Sequence, residues 1–155
     1  MRRNPSRFVL AVLVVLAALV SAVPPAAGAA VPCKFLTPDE AASVIGAGAR
    51  LRGAIENGAC SYERGELTLT VAQPFSYDDP KIVVQGFEGL MAGNGGQPES
   101  DIGDRAFLAK MNSGYQLGVL KGATFTALEV YGDGSDGAEV ADRLRAAARK
   151  VAARL

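Results

Sequence analysis

Two cysteines, Cys33 and Cys60, make up the whole cysteine complement of this chain, and they bracket its best-marked helix. Between them lies Thr37-Pro38-Asp39-Glu40, followed by Ala41, Ala42, Val44 and Ile45. The Thr37 hydroxyl can accept from a free amide of a first helical turn. Pro38 suits the first helical position, where its missing N–H costs nothing. Glu40, three residues after Thr37, completes a capping box. Gly46 or Gly48 offers a left-handed stop. This spacing predicts a helix over about residues 38–46, with Val44 and Ile45 on its buried edge. Cys60-Ser61-Tyr62-Glu63 then reads as a strand. A Cys33–Cys60 bridge would pin the chain before the helix to that strand, and closing a loop of this length contributes about 3.5 kcal/mol on the chain-entropy model. The other reading is two buried, reduced thiols, and the compartment decides between them.

The first 30 residues bear on the compartment. Arg2, Arg3 and Arg7 form a basic start, Phe8 to Val23 carries no charge, and Pro24-Pro25 ends the run. Ala27-Gly28-Ala29 supplies small residues in the pattern of a signal-peptide cleavage site. A signal peptide over residues 1–30 and a single domain over 31–155 are therefore expected, with the disulfide formed after export. The apolar run is short for a retained span, which wants about 20 residues. Lipid attachment at Cys33 is disfavoured by Val31-Pro32 before it and by the partner available in Cys60. The precursor balances 16 basic against 16 acidic residues, and losing the three arginines leaves a mature chain at −3. No basic run of nucleic-acid-binding type remains.

Along the mature chain, residues 50–58 read as a connection or short strand with a turn at Asn57-Gly58. Residues 59–64 and 66–72 read as a hairpin turned at Gly65, with Leu67, Leu69 and Val71 facing one way. Asp78-Asp79-Pro80 opens a second helix whose stripe is Val83, Phe87, Leu90 and Met91. Gly93-Asn94-Gly95-Gly96 reads as a flexible loop. Residues 105–111, 115–120 and 123–131 read as three antiparallel strands joined by tight turns. A last helix over about 137–154, capped by Asp136 with Glu139 three residues on, places Val140, Leu144, Ala147, Val151 and Leu155 on one stripe. Strand runs separated by helices argue for an α+β fold: an antiparallel sheet of about five strands flanked by three helices.

Several segments recur in a familiar order: Pro32-Cys33, Leu36-Thr37-Pro38-Asp39-Glu40-Ala41, Cys60-Ser61-Tyr62 and Ile102-Gly103-Asp104-Arg105-Ala106-Phe107. A strand-rich stretch and an Ala-rich final helix follow. The chain resembles a domain-of-unknown-function family of small actinobacterial secreted proteins and envelope lipoproteins, related to PsbP-like lipoproteins and extracellular sensor-type domains. The resemblance implies an antiparallel sheet flanked by helices and a role outside the cytoplasm. It implies no catalytic residues.

The composition limits the chemistry. Histidine is absent, which removes Ser-His-Asp and Cys-His catalysis and the usual zinc ligands. Tryptophan is absent too, which disfavours aromatic sugar platforms. Asp78 and Asp79 stand where a helix cap is wanted. Glu99, Asp101 and Asp104 form an acidic loop in which hard-cation binding competes with plain solvation. Gly132 to Gly137 fails the EF-hand pattern at Ser135 and Gly137 and reads as a turn before a helix. No G-x-S-x-G elbow surrounds a serine, and Ser61 reads as a strand residue. Lys110 and Lys121 read as edge-protecting strand residues. Arg143, Arg145, Arg149, Lys150 and Arg154 read as a solvated basic face of the last helix. The expectation is a non-catalytic extracytoplasmic binding or interaction module of the cell envelope, without cofactor or metal. It would take an envelope protein, a lipid or a small molecule as partner. The alternatives are a small secreted hydrolase using carboxylates, with or without a metal, and a structural component of an envelope complex.

Overall fold

The computed structural model describes residues 33–54, 59–72 and 75–155. The signal peptide expected over 1–30 and the turn expected at Asn57-Gly58 lie outside the described residues. The chain runs α1 (Pro38–Ile45), β1 (Arg50–Ala54), β2 (Cys60–Arg64), β3 (Leu67–Val71), β4 (Phe75–Ser76), α2 (Pro80–Gly93), β5 (Gln97–Glu99), β6 (Arg105–Met111), β7 (Gly114–Lys121), β8 (Thr124–Tyr131) and α3 (Ala138–Ala152). All strands join one antiparallel sheet in the order β1-β2-β3-β8-β7-β6-β5, with β4 also on β8.

Among the described residues the fold is α+β with three helices, as expected, but the sheet has eight strands instead of about five. The three additions are short. β1 pairs with β2 across an irregularity between Leu51 and Gly53. β4 is two residues that continue the line of β3 along β8, and Ala72 bridges them through its N–H to the Ala127 carbonyl. β5 is three residues at an edge. β4 and β5 are too short to show the period-2 alternation by which a strand is read in sequence, and β1 falls where a connection or short strand was expected.

α1 has the expected capping box: the Glu40 N–H donates to Thr37 Oγ1, and the Thr37 N–H donates to Glu40 Oε2. α2 is capped by Asp79, which accepts from the Lys81 N–H. α3 departs from expectation. It starts one residue later, Gly137 occupies the cap, and no side chain caps it. Asp136 instead offers its backbone carbonyl to Tyr115 Oη at 2.9 Å. Ser135 Oγ donates to the Ser113 and Gly132 carbonyls. These bonds fix the turn and leave Asp136 outside the helix.

The sheet has two unlike faces. Cys60, Tyr62, Leu69, Val71, Leu117, Val119, Leu128 and Val130 point to one side and meet Val44 and Ile45 of α1 and Val140, Leu144, Ala147 and Val151 of α3. This is the larger core, and burying each Leu or Val there contributes about 1.5–3 kcal/mol. On the other side, Val83 and Phe87 of α2 pack on Phe107, Ala109, Leu120, Phe125 and Ala127. Leu90 and Met91 complete the expected stripe, half-buried. Gly118 lies opposite Phe107 across the β6–β7 pair, and a methyl group there would come within 2.2 Å of the Phe107 ring. A methyl group on Gly96 would come within 2.6 Å of the same ring. In the glycine run expected as a loop, Gly93 closes α2, Gly95 stands in open space, and Gly96 makes the close approach over Phe107.

Cys33 and Cys60 are bonded, with Cα atoms 5.7 Å apart. The bridge ties the entry of α1 to β2. A second tie closes the other end: Arg154, just beyond α3, donates to both carboxylate oxygens of Glu40 at 2.7 Å and to the Phe35 carbonyl.

Candidate functional site

The acidic residues singled out in the sequence do not converge. Glu99 is held by Arg145 through two bonds of 2.8 and 2.7 Å, and Asp142 shares the same guanidinium. Asp104 accepts from the Gly122 N–H. Asp101, the one described non-glycine residue with positive φ, is exposed, as are Asp78, Asp79, Asp133 and Asp136. Among the described residues no group of three or more metal-ligating side chains comes together. Ser61 lies buried in β2 beside Thr70. Lys110 and Lys121 are exposed at strand positions.

The basic residues of α3 are largely committed to ion pairs. Arg143 pairs with Glu139, Arg145 with Glu99 and Asp142, and Arg154 and Lys150 with Glu40. They bind α3 to α1 and β5, which the reading of a solvated face did not anticipate. The Arg154 guanidinium hydrogen-bonded to Glu40 holds that carboxyl at about 2, against burial, which pushes the other way. Burial raises the Tyr62 phenol, and the nearby Glu40 charge adds to the shift. Tyr62 Oη donates to the Leu36 carbonyl, so its polar end is satisfied inside the core.

The surface feature that stands out is aromatic. Phe75 in β4 and Tyr77 just after it are 40% and 54% exposed, and their rings meet edge-on at 6.0 Å. Phe75 contacts Phe125 at 5.0 Å, Phe125 contacts Phe87 at 5.8 Å, and Phe87 contacts Phe107 at 5.3 Å. A line of five rings therefore runs from solvent to the smaller core. The inner rings are immobilised by packing, which holds the outer pair in place. Ile82, on the first turn of α2, is also exposed. A depression of about 350 Å³ adjoins this end of α2, lined among the described residues by Pro80, Lys81, Val84 and Gln85. A smaller one of about 170 Å³ lies between α2 and the β5–β6 edge, over Phe87, Met91 and Pro98. Arg105 borders it, stacked 5.1 Å over the Phe87 ring and paired with Glu88.

The sequence reading passed over Phe75 and Tyr77. The available signal was their spacing: two aromatics at i and i+2 share one face of an extended segment. No helix among the described residues is long and apolar enough to cross a membrane. Comparison with protein-family models, with curated proteins and with solved structures finds no match to this chain.

Proposed function

We propose that this chain is a non-catalytic binding or interaction module that works outside the cytoplasm, in the cell envelope or the medium. The observation that carries the reading is the exposed Phe75–Tyr77 pair, backed by Phe125 and Phe87, with an apolar depression on the first turns of α2 in addition. Aromatic side chains supply large contact area at low entropic cost, which is why they anchor recognition surfaces. Folding alone gives little reason to leave two aromatic rings in water. The Cys33–Cys60 bridge agrees with an oxidising compartment. The resemblance to small actinobacterial secreted proteins and envelope lipoproteins points the same way.

The test is a photocrosslinker, p-benzoylphenylalanine, placed at Tyr77 and, as a control, at the exposed Arg52. The purified protein is then incubated with native envelope extract. A discrete adduct from position 77 that is missing from position 52, and is suppressed by Phe75→Ser, supports the module. No adduct, or the same adducts from both positions, overturns it.

A further inference from the structure

A second recognition feature lies on the same sheet face, at the other end of β8 and independent of the aromatic patch. Phe125 and Glu129 are four residues apart on that strand, which separates the two places by about 14 Å. Strand register puts Gln116, Glu129, Thr70 and Ser61 side by side in one cross-strand row. The next row holds Met111, Gly114, Tyr131, Thr68 and Glu63.

In the first row the amides form a relay. Asn94 Nδ2, at the C-terminal cap of α2, donates to Gln116 Oε1 at 2.6 Å. Gln116 Nε2 donates to Glu129 Oε1 at 2.6 Å. Gln116 is buried, so this donor is fixed and Glu129 is aimed. Glu129 is half-buried and makes no ion pair and no second hydrogen bond among the described residues. Every other half-buried carboxylate of the described chain has an arginine partner: Glu40, Glu63 and Glu99. A carboxylate taken partly out of water without a counter-charge is costly unless something repays it. The C-terminal end of α2 stands over the same row through Asn94, and its dipole presents negative potential there.

The second row supplies walls of a suitable kind. Tyr131 and Met111 are 45% and 41% exposed, and both flank Gly114, which contributes no side chain. An aromatic ring and a polarisable thioether beside a carboxylate are the surroundings that favour an organic cation, through charge and cation–π attraction together. A hard divalent ion wants several carboxylate or carbonyl ligands, and only one free carboxylate is offered here.

We infer that Glu129, Tyr131 and Met111 form a subsite for an alkylammonium group, with Gln116 and Asn94 as positioning residues.

The test is a titration of the isotope-labelled protein with n-butylammonium chloride, followed by amide and side-chain NMR shifts, with sodium chloride at matched ionic strength as reference. Saturable shifts centred on Gln116, Glu129 and Tyr131 are expected, with a dissociation constant of about 1–10 mM for one such contact set. Glu129→Gln, whose own spectrum reports whether it folds, should weaken binding about tenfold or more, and Tyr131→Leu about threefold. The assignment is overturned by absent or non-saturating shifts. Equal binding by Glu129→Gln, or saturation by calcium chloride with none by butylammonium, overturns it as well.

Discussion

One face of the sheet is sealed along its length by α1 and α3, while the other is apolar only where α2 crosses it and polar beyond. On the sealed face, Tyr62, Leu69, Leu117, Leu128 and Leu144 are fully buried, and the one polar end among them, Tyr62 Oη, finds a carbonyl. On the second face the residues change along a single strand, from Phe125 and Ala127 under α2 to Glu129 and Tyr131 beyond it. The contrast suggests a division of labour. A continuous core, a disulfide and an ion-paired clamp hold the fold on one side. The other side can then expose aromatic rings and an uncompensated carboxylate without endangering it.

The largest expected effect tests whether stability resides on the sealed side. Reducing the Cys33–Cys60 bridge, or replacing both cysteines with alanine, should cost about 3.5 kcal/mol in urea unfolding. A loss below about 1 kcal/mol would mean that packing and the Arg154–Glu40 clamp hold α1 without the bridge. Next, the α2 amides should exchange with deuterium through openings about 2 kcal/mol cheaper than global unfolding, while α3 amides require the global event. Identical opening energies for the two helices would break the comparison.

A smaller effect is expected at low pH. Glu40 titrates at about 2 when folded, against 4.5 for an unperturbed glutamate. Its contribution is therefore present above about pH 4.5 and is lost as pH falls towards 2. Glu40→Gln should flatten the fall of the urea midpoint between about pH 5 and pH 2, and an unchanged slope would remove the Arg154 clamp from the account. Last and least, Tyr77→Ser should change stability by less than about 0.5 kcal/mol, because the ring rests on the surface. A loss above about 2 kcal/mol would make the aromatic pair part of the core and no longer a recognition surface.

Local chemistry was legible in the sequence where it is repeated or redundant. The α1 capping box needs three residues in fixed positions, and all three are present at 37, 38 and 40. The long strands β6, β7 and β8 run for seven or eight residues between plain turn signals. The stripe on α3 recurs over four turns. Legibility failed where a residue's role depends on a partner far away in sequence. Phe75 pairs across the sheet with Phe125, fifty residues on, and their rings meet at 5.0 Å. Arg145 looks like any helix-surface arginine until Glu99 of β5 arrives. Asp136 satisfies the spacing of a cap, yet Tyr115 from another strand decides its backbone position. The Glu129 relay was invisible for the same reason: its three amide and carboxylate members come from α2's end, β7 and β8.

The Arg154–Glu40 clamp also sets an order of events. It joins groups 114 residues apart, so the docking of α1 on α3 is among the last contacts a growing chain can make. An isolated helix of eight residues does not persist in water. Final closure of α1 against the rest of the fold therefore waits until residue 154 is in place.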